Sequence, residues 1–166
     1  MISYLRLKYN MFLVNYLYAN LNGGKYFRRK TRCLQRLGHN IAESVRIMGP
    51  LYSMCKLNIG ENTFVGTQFR CEGNGTVTIG KNCDIAPQVT ILTGTHEIGE
   101  GNRRAGKGVT LNTTIGNGCW LGAKCMIMPG IHIGNGCIVA AGALVTKDMS
   151  PNTIAKGVPA IISQIE

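Results

Sequence analysis

Aliphatic residues recur at every sixth position along much of this chain. The longest series is Val109, Ile115, Leu121, Ile127, Ile133, Val139 and Val145. Ile79, Ile85 and Ile91 form a second series and Ile59 with Val65 a third, with Ile41 and Ile47 ahead of them on the same count. A small residue commonly follows, as at Gly60, Gly66, Gly80, Ala86, Gly116, Gly122, Gly134 and Ala140. Four residues after each aliphatic stands another side chain able to sit inside: Thr63, Cys83, Val89, Thr113, Cys119, Cys125, Ile131, Cys137 or Ala143. A period of six fits neither the 3.6 of an α-helix nor the 2 of a barrel strand. It fits a solenoid of short flat strands joined by tight turns, three hexapeptides closing one triangular coil of 18 residues. Coils about 4.8 Å apart pair in parallel and stack their aliphatic columns into a core.

The period breaks twice. Between Val65 and Ile79 the step is 14, which predicts a two-residue bulge within Cys71–Gly75. Between Ile91 and Val109 the glycine-rich, basic stretch Gly99–Gly108 lacks the pattern and predicts a projecting loop near 97–108. Loops on a rigid scaffold are where binding residues concentrate. The sequence therefore divides into a basic, helical leader (1–40), an all-β solenoid (41–160) and a short C-terminal tail (161–166).

Charge and cysteine usage narrow the partners. Net charge is +10, from 18 Lys and Arg against 8 Asp and Glu. Residues 1–42 hold Arg6, Lys8, Lys25, Arg28, Arg29, Lys30, Arg32 and Arg36 and no acid. Such a leader reads as a solvated surface, or as one that meets an anionic membrane or ligand. No helix-turn-helix, zinc-finger or RNA-binding signature accompanies the charge, so nucleic acid is not expected. The apolar run around Met11–Tyr18 is interrupted by Asn10, Asn15, Asn20 and Asn22 and is too short to span a bilayer. It has no clean signal-peptide cleavage site, and reads as an amphipathic helix able to lie on a membrane. Seven cysteines, an odd number without a CxxC pair, do not read as a disulfide framework or a zinc site. Four of them share one repeat position and read as small buried hydrophobes. A reducing cytoplasm is expected, with the inner face of the membrane as one location.

Two segments carry a resemblance. IGKNCDIAPQVTILTGTH (Ile79–His96) and CWLGAKCMIMPGIHIGNGCIVAAGALVTKDMSPNTIAKGVPA (Cys119–Ala160) resemble the maltose and galactoside O-acetyltransferase branch of the hexapeptide-repeat acyltransferases. The likeness covers roughly residues 57–162 and is poor in the first 45. It implies a left-handed parallel β-helix, an exception to the right-handed rule for parallel crossovers. It also implies a homotrimer with active sites between subunits, and transfer of an acetyl group from acetyl-coenzyme A. The acceptor is expected to be a sugar hydroxyl, with surface-polysaccharide biosynthesis as one setting. N-acetylation of an amino sugar, acetylation of serine or an antibiotic, and a non-catalytic scaffold are the alternatives.

By position, the resemblance makes His96 the general base. Imidazole titrates near neutral pH, so it can take a proton from a hydroxyl and return it to a leaving thiolate. Candidates to orient its ring are Asp84, Glu97 or a backbone carbonyl, and Asp84 and Glu97 also count among the acceptor-binding candidates. The coenzyme positions carried over are Trp120, Gly122, Ala123, Ala141, Gly142, Thr146 and Lys147, then Gly157, Val158 and Pro159. Relatives often carry tail arginines where this chain has Ile161 and Gln164, which leaves Arg103, Arg104 or Lys107 as phosphate partners. On the acceptor side, Gly66 and Asn74 stand where the galactoside branch has an asparagine and an aspartate, with Gln68, Arg70 and Glu72 nearby. Those differences imply a different acceptor. His39 reads as a surface or turn residue, and His132 as an outward repeat residue. A zinc site shared by His96 and His132 is not expected: 36 residues is two coils, about 10 Å along the axis, against zinc bonds of ~2 Å.

Overall fold

The computed structural model describes residues 4–165; residues 1–3 of the leader and 166 of the tail lie outside the described residues. From Asn40 onward the chain winds as a three-faced parallel solenoid. The first face stacks Asn40–Ile41, Lys56–Ile59, Thr76–Ile79, Thr113–Ile115 and His132–Ile133. The second stacks Arg46–Ile47, Phe64–Val65, Asp84–Ile85, Trp120–Leu121, Ile138–Val139 and Thr153–Gly157. The third stacks Leu51–Ser53, Phe69–Glu72, Thr90–Leu92, Met126–Ile127 and Leu144–Val145. Ala160–Gln164 then folds back antiparallel on Thr153–Gly157 and ends the second face.

Each sixth-position aliphatic points inward and stacks on its equivalent one coil away. Ile59, Ile79, Ile115 and Ile133 make one column, and Val65, Ile85, Leu121 and Val139 another. The third is Ile91, Ile127 and Val145, and all of these side chains are buried. The small residue that follows is a packing requirement. A Cβ on Gly122 would lie 2.5 Å from the backbone nitrogen of Ala141 in the next coil.

The two breaks take different forms. Leu51–Ser53 pairs with Phe69–Cys71 at a step of 18, whereas Lys56–Ile59 pairs with Thr76–Ile79 at a step of 20, so two extra residues lie in the 73–75 bend. The second break is a two-stranded arm, Gly94–Ile98 antiparallel to Ala105–Thr110. Val109 belongs to this arm, opposite Thr95, and not to the core series in which the period placed it. Ile79 pairs with Ile115 at a step of 36 where one coil takes 18, so the arm adds the length of one coil. The hexad count therefore continues in phase across residues that have left the solenoid.

The leader closes the open first coil. α1 (Tyr4–Phe12) runs through a π-helical turn, Leu13–Leu17, and α2 (Gly24–Arg36) follows. Asn15, an interruption by sequence, is an anchor: its amide donates to the Leu51 carbonyl at 2.8 Å and accepts from the Leu51 N–H at 3.0 Å. Lys30, counted with the solvated charges, is fully buried instead. Its ammonium donates to the carbonyls of Ile47 (3.0 Å), Met48 (2.9 Å) and Ala19 (3.5 Å), and burial holds its pKa below the ordinary lysine value.

Cysteine usage needs one correction. Cys55 and Cys71 form a disulfide, although the sequence suggested only thiols. The solenoid brings residues 16 apart in sequence to a Cα separation of 5.8 Å, within the range a disulfide spans. Cys83, Cys119, Cys125 and Cys137 are buried thiols, and burial pushes Cys125 up to about 12.

Candidate active site

The arm is rooted in the solenoid by two buried threonines. Thr93 Oγ1 accepts from the Gly75 N–H at 3.1 Å and donates to the Glu72 carbonyl at 3.1 Å, so the 73–75 bend supports one strand. Thr113 Oγ1 donates to the Leu92 carbonyl at 3.1 Å beneath the other. Beyond these roots all five residues of Gly94–Ile98 are exposed, and Ile98 near the tip is 90% exposed.

His96 sits on that arm, in register with Gly108. Its Nδ1 lies 2.9 Å from the Gly106 carbonyl oxygen. A carbonyl only accepts, so the ring donates from Nδ1 and its Nε2 keeps a free lone pair. Of the three candidates to orient the ring, the carbonyl holds it. Asp84 lies on the second face beside Trp120 and Phe64, Glu97 follows His96 on the arm, and neither hydrogen-bonds the imidazole. The other histidines have structural partners. His132 Nδ1 is 2.6 Å from Thr114 Oγ1. His39 Nδ1 accepts the Leu57 N–H at 3.1 Å, and burial lowers its pKa. With His96 on the arm and His132 on the first face, the two-coil spacing assumed for them does not apply. Among the described residues no group of three or more His, Cys, Asp or Glu is placed to hold a metal ion.

Most of the coenzyme positions gather along one edge. Trp120 projects from the second face between Asp84 and Ile138 and is 56% exposed. Gly122–Ala123 and Ala141–Gly142 turn the corner from the second face to the third, where the Gly142 N–H donates to the Ala123 carbonyl at 2.9 Å. Gly142 has φ +71°, and a Cβ there would meet nothing within 4 Å, so this corner is open. Gly157, Val158 and Pro159 turn the hairpin that ends the second face. Thr146 and Lys147 follow the last strand of the third face and stand at the next corner, so one chain does not bring them to Trp120. Arg103, Arg104 and Lys107 are on the arm, where Arg104 reaches the Gly99 carbonyl at 3.4 Å.

Of the acceptor candidates, Gln68 and Arg70 come together in a groove of about 610 Å³ between the leader and the third face. Asn74 is in the 73–75 bend, and Asp84 and Glu97 lie elsewhere, as above. Four groove residues with polar side-chain groups were not among the site candidates: Asn15, Tyr16, Tyr52 and Gln88. The Gln88 amide donates to Gln68 Oε1. Arg70 pairs with Glu72 and lies 5.2 Å from the Tyr52 ring centroid, so its charge is already compensated. Gln88 was within reach of sequence reasoning, because it is the step-of-20 equivalent of Gln68 and both occupy left-handed corners, at φ +63° and +59°. Asn15 and Tyr16 carry no repeat and gave no such signal.

Comparison with known proteins bears on the fold and the family. The family model described as "Bacterial transferase hexapeptide (six repeats)" matches residues 112–147. The galactoside O-acetyltransferase of Escherichia coli (strain K12) is 32% identical over 133 residues, covering 79% of this chain and 66% of that protein. The Escherichia coli (strain K12) protein WcaF, which bears the name of a colanic acid biosynthesis acetyltransferase, is 31% identical over 76% of this chain and 67% of its own length. This chain thus spans about two thirds of the length of these relatives. Among solved structures, a galactoside acetyltransferase in complex with coenzyme A superposes with a TM-score of 0.78 at 29% identity, covering 96% of this chain and 78% of that one. A maltose O-acetyltransferase from Clostridium difficile 630 superposes with a TM-score of 0.71 at 27% identity, covering 98% and 88%. On these likenesses and its three-faced parallel coils, the chain belongs to the hexapeptide-repeat acyltransferases and adopts their left-handed β-helix.

Proposed function

We propose that this protein transfers an acetyl group from acetyl-coenzyme A to a hydroxyl of a sugar, with His96 as general base. One observation carries the reading: the Gly106 carbonyl holds Nδ1 of His96 and leaves Nε2 free on an exposed arm. Nε2 takes the proton of the acceptor hydroxyl as its oxygen attacks the thioester carbonyl carbon. The C–S bond then breaks, and the imidazolium returns the proton to the departing thiolate. A base so positioned contributes roughly 10²–10⁴-fold. The names of the relatives, galactoside and maltose O-acetyltransferases, support the reaction class.

The acceptor is a neutral glycan unit that lies in the groove of Asn15, Tyr52, Gln68 and Gln88. Amide side chains and an aromatic face suit hydroxyls and ring C–H groups, and Arg70 is occupied by Glu72. Trp120, the Gly122–Gly142 corner and the Gly157–Pro159 turn receive the coenzyme, with Thr146 and Lys147 supplied from the adjacent subunit of a homotrimer. Exposure supports an assembly, because an arm without a core of its own gains from a second surface that encloses His96; the number three is what the resemblance implies.

The test is acetyl transfer to a panel of sugars, amino sugars, serine and antibiotics, with products read by mass spectrometry, for the native protein and His96→Ala. A sugar ester whose formation falls at least ~10²-fold in the variant is the expected result. Transfer unaffected by the substitution rules out His96 as the base, and an amide product replaces O-acetylation with N-acetylation.

A further inference from the structure

α1 buries the opposite residues from a helix that serves only its own chain. Its one fully buried side chain is Asn10, whereas Tyr4, Leu5, Leu7, Tyr9 and Phe12 stand in solvent. Tyr16 and Leu17 of the π-turn continue the exposed surface, and the Phe12 and Tyr16 rings stack at 5.6 Å. Cations border it. Lys8 lies 4.6 Å from the Tyr4 ring centroid, and α2 turns Lys25, Arg28, Arg29, Arg32 and Arg36 outward. Arg29 lies 5.7 Å from the rings of both Tyr18 and Tyr26, which joins the basic helix to the end of the π-turn. Lys30 and Asn15 fix both parts to the solenoid, so the surface is held in one shape.

We propose that this leader docks the protein on an anionic lipid bilayer. Exposed leucines and aromatic rings suit the boundary between headgroups and acyl chains, and a cationic border suits the phosphates above it. Charge favours lipid over a second copy as the occupant. The first 42 residues contain no acid, so the same face of a second copy would meet the border with its own sign. Among the described residues no helix is long and apolar enough to cross a membrane, so the contact lies on the surface. The inference is independent of the acetyl-transfer reading, and its test measures no activity.

The experiment is co-sedimentation of the full chain with vesicles of phosphatidylcholine alone, or of phosphatidylcholine with phosphatidylglycerol, at low and high salt. Binding to the anionic vesicles at least ~10-fold stronger than to the neutral ones, and weakened by salt, is expected. A Leu5→Ser/Tyr9→Ser/Phe12→Ser variant and a separate Arg28→Gln/Arg32→Gln/Arg36→Gln variant should each bind the anionic vesicles at least ~10-fold more weakly. Their oligomeric mass by light scattering and their melting profiles should not change; the charge variant keeps the test valid if the apolar one misfolds. Failure of the native protein to sediment with anionic vesicles, or equal binding to both kinds, overturns the proposal. So does a fall in oligomeric mass in the apolar variant when the native protein ignores vesicles, a result that gives the face to a second copy.

Discussion

The coils and the arm use the same backbone pairing for opposite ends. Within the coils an interior strand is flanked by near-copies of itself, and its inward side chain is buried by the rungs above and below. The arm has one partner strand, no inward side and no aliphatic column, yet it holds His96 with its ring oriented by the Gly106 carbonyl. Rigidity in the coils comes from repetition. In the arm it comes from the two threonine roots and the Gly106 carbonyl. Stability and the proposed chemistry thus belong to regions that can be perturbed separately.

The largest effect should come from the coils. Ile127, fully buried between Ile91 and Val145, should cost about 2–5 kcal/mol when changed to alanine. At this size that is a fall in Tm of roughly 4–20 °C, measured by calorimetry. A fall of only a degree or two would mean the columns are not the source of stability. Lys30→Met comes next. It strips the donor from the Ile47, Met48 and Ala19 carbonyls and should cost about 1–3 kcal/mol, so that the leader detaches and becomes protease-sensitive before the solenoid melts. Unchanged proteolysis would show that Asn15 and the apolar contacts hold the leader without Lys30.

A smaller effect is expected at His39, whose pKa burial lowers. Above about pH 6.5 the ring is neutral in both folded and unfolded chains, and its contribution to stability is complete. As the pH falls through that value the unfolded chain takes the proton first, so stability declines until the lowered folded pKa is passed. His39→Gln keeps an acceptor for the Leu57 N–H and should flatten Tm against pH below about 6.5; an unaltered slope would assign acid sensitivity to other groups. The smallest effect should come from the arm. A Cβ on Gly108 meets only His96 Cε1, at 4.0 Å, so Gly108→Ala should leave stability within about 0.5 kcal/mol of the native value. A large loss there would mean that arm and coils melt as one unit, and the comparison would fail.

How much of this was legible beforehand follows the same division. The sixth-position aliphatics specified the columns, and the 14-residue step located the bend at 73–75, because in a solenoid local spacing is three-dimensional position. Val109 shows where that logic ends. The missing hexads after Ile91 announced a projection near 97–108, but a period records phase and not where the chain re-enters the coil, so Val109 was counted with the core. Lys30 and Asn15 were misjudged because residue type stood in for environment; their partners are carbonyls and amides of a coil edge that no pattern in the leader announces. Cys55 and Cys71 were misread for a related reason, since their pairing depends on coil stacking and not on a local motif. Gly106, likewise, contributes only an oxygen that every residue possesses.

The arm leaves and re-enters the solenoid at a single corner, where the Leu111 N–H donates to the Thr93 carbonyl at 2.7 Å. Its length is therefore independent of the coil count. One residue added to each strand would carry His96 about 3.4 Å outward and turn it to the opposite side of the ribbon, while a second pair would restore its side. Reach in this scaffold is adjustable in steps of roughly 7 Å, without displacing a single residue of the core.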